Sequence, residues 1–148
     1  MSSSPRKLSA IAHSEALSLL AGVSFGRIVF TENAMPAVRP ASHLVEAGVI
    51  IARSHDGSAV LSAGGERIPG PDPFTGSERE TVVAYQADDI DIGQRLGWSV
   101  VVTGPATPLI DPAEIEPYGN LLPPWADARE GQLIRIHPGI ITGYRFID

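Results

Sequence analysis

The sequence contains no cysteine. That absence excludes a disulfide framework, a thiolate nucleophile and any cysteine-ligated zinc or iron–sulfur centre, so redox chemistry has to be borrowed from a cofactor. Lysine is almost missing as well. Of eleven basic residues only Lys7 is a lysine, and the others are arginines, whose planar forks suit phosphate and carboxylate. No apolar run is long enough for a membrane span. The opening Met1 to Ser9 is serine-rich and polar, without the charged and apolar regions of a secretory leader, which leads to the expectation of a cytoplasmic protein. Basic charge is also too sparse for a nucleic-acid partner: the formal net charge is −6 and the pI about 5.1, whereas phosphate-backbone binding needs a clustered basic surface.

Several catalytic signatures are absent. There is no Gly-x-Gly-x-x-Gly or Walker-type loop, no Gly-x-Ser-x-Gly elbow and no His-Glu-x-x-His helix, which removes the usual geometries for dinucleotides, nucleoside triphosphates, α/β hydrolysis and helical zinc. His13, His43, His55 and His137 are scattered, and Asp88, Asp89 and Asp91 lack the spacing and glycine of a calcium loop. They read as a solvated turn, and no metal is expected.

What is present is a globular chain of 148 residues and 15.6 kDa, 43% hydrophobic and 19% charged, the size of one domain spanning 1–148. Fifteen glycines and thirteen prolines punctuate it into short strands rather than long helices. One helix is predicted over Ser14 to Ala21, with Ser14 as its cap and Gly22 ending it in a left-handed conformation. Strands are predicted over Val23 to Thr31, Ala37 to Val45, Val49 to Arg53, Thr81 to Tyr85, Trp98 to Thr103, Gln132 to His137 and Ile140 to Phe146. The last two are expected to pair as a hairpin across Pro138-Gly139. Pro40 marks an edge or a bulge. A proline-started helix is predicted within Pro112 to Leu122, and Gly64 to Arg79 reads as a long loop. Hairpin-length connections without a βαβ rhythm give a mainly β fold, an antiparallel barrel or sandwich.

Among individual residues, Arg53-Ser-His-Asp-Gly-Ser58 combines an arginine at a strand end with hydroxyls and a glycine in a turn, the ingredients of a phosphate holder. The plain alternative is a surface arginine before an ordinary turn. Trp98 and Trp125 are readable as core or interface, or as ligand stackers. Arg39 beside Pro40 projects either toward a ligand or into solvent.

The order of Phe25-Gly-Arg-Ile28, Val38-Arg-Pro-Ala-Ser-His43, Ile51-Ala-Arg-Ser54, Gly57-Ser58, Gly97-Trp-Ser-Val-Val-Val-Thr-Gly-Pro-Ala106, Ile134-Arg-Ile-His-Pro138 and Ile141-Thr-Gly-Tyr-Arg145 resembles the pyridoxamine 5′-phosphate oxidase-like flavoproteins, and within them the nitroimidazole-resistance-like and general flavin oxidoreductase branch. The likeness runs from Leu8 to Ile147. It implies a six-stranded antiparallel split β-barrel with two or three short helices, assembled as a homodimer with FMN in a cleft between subunits. The activity implied is that of an FMN-dependent oxidoreductase acting on a small organic substrate, with no protein residue assigned a catalytic role. The resemblance sets the flavin ring near Arg39, Pro40, Ala41, Ser42 and His43 and the phosphate at Arg53 and Ser54, with Gly57 and Ser58 following. Trp98, Ser99, Trp125 and Arg129 become candidates for lining the cleft. One departure stands out: Ala59 occupies a position where many relatives carry a lysine. Two alternatives therefore stay open, a split barrel that binds ligand with little or no flavin affinity and a reductase using the deazaflavin F420.

Overall fold

Alternation of buried and exposed side chains along nearly every strand dictates the architecture, because a period of two gives each strand one inward and one outward face. The structure, a computed structural model, describes residues 7–54, 60, 81–123 and 133–147. Its elements are β1 (Lys7–Ala10), α1 (His13–Ala21), β2 (Phe25–Glu32), β3 (Met35–Glu46), β4 (Val49–Ser54), β5 (Thr81–Asp91), β6 (Leu96–Pro108), α2 (Pro112–Ile115), a 3₁₀ turn (Glu116–Tyr118), β7 (Leu133–Ile136) and β8 (Ile140–Ile147). The strands form one antiparallel sheet in the order β1-β8-β6-β5-β2-β3-β4-β7, and a further β6–β7 pairing closes it. Strands β2 to β7 thus make a six-stranded barrel, with β8 and β1 as outer strands.

The inward face holds the main core, which includes Ile28, Phe30, Ile50, Ala52, Tyr85, Val100, Val102, Ile134 and Ile136, with α1 contributing Ala16 and Leu20. A smaller cluster lies on the outside of β4 and β7, where Ile51 and Leu133 are covered by Leu109 and Leu122, with Ile115 and Tyr118 packed alongside. The short α2 segment exists to cover this patch, and Asp111 caps it by accepting from the Ala113 N–H.

Several expectations need correction. The first helix starts at His13, its N-cap is Ala12 with no side-chain cap, and Gly22 ends it with an ordinary right-handed φ of −79°. The polar N-terminus contributes β1, which pairs with β8. Asp88 to Asp91 is not a connector: β5 runs through it in full register with β6, because paired strands tolerate exposed aspartates on an open face. The predicted helix within Pro112 to Leu122 shrinks to a four-residue turn and a 3₁₀ turn.

The largest correction concerns the C-terminus. β7 and β8 do not pair with each other; both pair with β6, β7 along Ala106–Pro108 and β8 along Gly97–Thr103. Pro138-Gly139 is a corner that carries the chain along one edge of β6. Gly104 permits it, since a Cβ there would sit 1.8 Å from the His137 carbonyl oxygen. Pro40 behaves as an edge residue: the β3–β4 ladder begins at Ala41, so its missing N–H costs no pairing with β4.

Candidate functional site

The β3–β4 register brings the sequence-predicted residues together and also divides them. Ser42 lies opposite Arg53, and Phe25 on β2 lies opposite Ser42, so these three share the outer face. Ala41 and Ser54 lie opposite each other on the inner face and are fully buried. Arg53 and Ser54 therefore point to opposite sides of the sheet, and the Ser54 hydroxyl is turned inward. Arg53 is only 8% exposed, and burial lowers its hold on its proton without neutralising a guanidinium. Ser42 Oγ donates to the Arg53 carbonyl at 3.5 Å.

Arg39 stands on the inner side near the barrel rim. Its guanidinium lies 5.4 Å from the Phe30 ring centroid and 3.6 Å from the Glu32 carboxylate. His43 is 2% exposed. Its Nε2 donates to the Leu20 carbonyl at 2.9 Å, which leaves Nδ1 to accept from the Tyr85 hydroxyl at 2.5 Å. The ring is held neutral: desolvation lowers its pKa despite the backbone contact with Leu20, and burial pushes the Tyr85 phenol far above its ordinary value. This pair ties α1 to the barrel. Trp98 belongs to the main core, while Ser99 faces outward. Gly57, Ser58, Trp125 and Arg129, together with Ala59 and the long loop, lie outside the described residues.

The structure adds a polar chain that sequence reasoning did not single out. Across β2, β5 and β6, Arg27 donates to Gln86 Oε1 at 3.3 Å, and Gln86 Nε2 donates to Asp88 Oδ2 at 2.7 Å and lies 3.4 Å from Ser99 Oγ. Period-two spacing of Gln86 and Asp88 was the available signal, but it needs the strand register to give it meaning. Beside this chain runs an apolar row on the same face: Ile140, Thr103, Ala84, Val29 and Val38 follow one another across five strands, with Ile140 64% and Val38 50% exposed. Among the described residues, no group of three or more potential metal ligands comes together and no helix is long and apolar enough to cross a membrane.

A barrel of this topology, filled by segments in this order, can be compared with known proteins. The model of the family described as pyridoxamine 5′-phosphate oxidase matches residues 12–145. This chain belongs to that family. The uncharacterized protein Rv0080 of Mycobacterium tuberculosis is similar to it, 40% identical over 144 residues that cover 97% of this chain and 89% of that protein. A Corynebacterium glutamicum structure assigned as a pyridoxamine 5′-phosphate oxidase is similar with a TM-score of 0.71 and 27% identity, covering 96% of this chain and all of that one. The FAD binding protein from Mycobacterium smegmatis is similar with a TM-score of 0.66 and 27% identity, covering 94% and 98% respectively.

Proposed function

We propose that the chain is a cytoplasmic flavin-binding protein that works as a homodimer, takes FMN in a cleft between two copies, and exchanges electrons with a small organic substrate. The observation that carries this reading is the withdrawn Arg53 guanidinium at the end of β4, beside Ser42, on a sheet face whose neighbouring surface is apolar and open. A buried planar fork next to a hydroxyl is the donor chemistry of a phosphate holder, so the described residues fit the phosphate end of the cofactor. The name of the mycobacterial FAD binding protein supports a flavin in general.

A bound flavin supplies hydride and electron transfer, and the protein supplies binding, orientation and electrostatics. Arg53 and Ser42 would grip the phosphate. Ser99 and the Arg27–Gln86–Asp88 chain offer donors and acceptors on the same face. A second copy laid on the Val29, Val38 and Ile140 surface would keep water out. Gly57, Ser58, Trp125 and Arg129 are proposed for the same cleft from the family resemblance, and no residue is assigned as acid, base or nucleophile.

The purified protein is expected to be yellow, or to quench FMN fluorescence on titration, and Arg53→Ala to weaken FMN binding at least about tenfold through loss of one charge-assisted contact. A colourless protein that leaves FMN fluorescence unchanged would overturn the flavin reading. Unchanged affinity in Arg53→Ala would move the phosphate elsewhere. Titrating F420 in parallel tests the deazaflavin alternative, and failure of both ligands favours the flavin-free barrel that Ala59 keeps in view.

A further inference from the structure

His43 lies directly behind the proposed phosphate holder. On β3 it follows Ser42, and in the β3–β4 ladder the pair Ser42–Arg53 is next to the pair His43–Ala52. Alternate residues face opposite sides, so the imidazole and the Arg53 guanidinium stand on opposite faces of strands about 4.8 Å apart. Three hydrogen bonds fix the histidine. Its backbone N–H donates to the Ser24 carbonyl at 3.0 Å, Nε2 donates to the Leu20 carbonyl at 2.9 Å, and Nδ1 accepts from the Tyr85 hydroxyl at 2.5 Å. Tyr85 reaches β3 from β5 by passing over β2 at Gly26, where a Cβ would lie 2.6 Å from the ring and 2.7 Å from the hydroxyl oxygen.

This arrangement can take up one proton without losing a partner. Nε2 already donates, so the proton goes to Nδ1. The Tyr85 hydroxyl also stands 3.3 Å from the Ala41 carbonyl. Donating there, it leaves its oxygen to accept from the new Nδ1–H. The ring borders an open cleft, which gives the proton a path from water. Charge decides whether it is taken up. Burial opposes the imidazolium, and so do the guanidinium groups of Arg27 on β2 and Arg53 on β4. Asp88 and Asp89 of β5, which line the same cleft, and the carbonyl end of α1 favour it. Glu15 of α1 is engaged by Arg145. An anion brought to Arg53 adds negative charge immediately behind the ring and tips this balance toward the protonated form.

We infer that His43 is a proton-linked positioning residue for the site: uptake of a proton at its Nδ1 and capture of a phosphate by Arg53 and Ser42 promote each other across the β3–β4 sheet. The inference rests on the phosphate reading of Arg53 given above. Such coupling is reciprocal. The factor by which protonation tightens the ligand equals the factor by which the ligand raises proton affinity, and couplings of this kind begin at about fivefold.

The test follows the His43 ring by NMR from about pH 8 to about pH 4.5, in the free chain and with saturating FMN. The midpoint is expected to rise by about 0.7 pH unit or more when FMN is bound, which is fivefold in proton affinity. This measurement reads the parent protein alone. In parallel, FMN affinity is measured for the parent and for His43→Gln, whose amide keeps a donor for Leu20 and an acceptor for Tyr85 but takes up no proton. A phosphate monoester itself titrates near about pH 6, equally for both proteins, so the ratio of their affinities isolates His43. That ratio should grow toward about fivefold in favour of the parent between about pH 7.5 and about pH 5. An unmoved midpoint, a ring still unprotonated at about pH 4.5 with FMN in place, or a ratio independent of pH would each overturn the inference while leaving FMN at Arg53 standing. Absence of FMN binding at every pH would overturn the phosphate reading itself, and the inference with it.

Discussion

His43 spends two hydrogen bonds on joining three elements: its Nε2 reaches the last turn of α1 and its Nδ1 takes the hydroxyl of Tyr85 on β5. The bond accepted from Tyr85 requires an unprotonated Nδ1, and burial lowers the folded pKa below the ordinary 6.5. The unfolded chain takes up this proton as pH falls through about 6.5, while the folded chain resists it, so stability is complete above that value and declines below it. Denaturant unfolding measured at about pH 7.5 and about pH 5.5 should show a loss from this group of up to about 1.4 kcal/mol per pH unit. His43→Gln should flatten that slope, and a slope unchanged in the variant would disprove the assignment. At this scale the sequence was only partly readable. His43 stood out as a histidine near a proposed ligand strand, but its partner lies 42 positions away, and no local pattern joins the two. That Arg53 lies near the end of a strand was readable, because the apolar run Val49 to Ala52 stops there. The inward turn of Ser54 follows from register alone.

Among the elements, β6 carries the most. Its thirteen residues pair with β5 along one edge and with β8 and then β7 along the other. The change of partner takes place at Gly104, where a Cβ would lie 1.8 Å from the His137 oxygen and 2.9 Å from its carbonyl carbon. Backbone cannot yield as a flexible side chain can, so Gly104→Ala is expected to cost about 3 kcal/mol or more, as overpacking against main chain does. Thermal unfolding would register it, and a melting temperature within one degree of the parent would refute the account of the corner. Strand cores were readable from composition because valine and isoleucine mark half-buried pleats. The pairing of the last two strands was not. A Pro-Gly between two apolar runs has the local chemistry of a hairpin, and only the common partner β6 makes it a corner. The same holds for Asp88 to Asp91, whose charge argued for a turn while the long β5–β6 ladder kept it extended.

For the whole molecule, the outer sheet face carries exposed apolar side chains. Ile140, Val82 and Val38 are each at least half exposed on one side of the barrel, an arrangement that monomeric surfaces rarely sustain over a wide patch. If a second copy covers it, sedimentation should report a dimer, and Val38→Glu should shift it toward monomer, since a buried unpaired carboxylate is strongly unfavourable at an interface. A monomer in the parent protein at micromolar concentration would contradict the proposed assembly. Fold class was readable at this scale because punctuation by glycine and proline, absence of a βαβ rhythm and the family resemblance all lead to a barrel. The outer strand β1 was not, since a polar four-residue strand carries no periodic signal.

β7 completes the ring by pairing with β6 on one side and, on the other, with β4, which ends at Ser54 while β7 starts at Leu133. Nearly eighty positions separate them along the chain, and ordering them together requires closing that whole span first, a slow event by chain statistics. Until β7 joins, a sheet of β2 to β6 has its β4 edge unpaired. During that interval the bare β4 edge is a template on which a neighbouring chain can pair, so slow closure and misassembly are linked through the same strand.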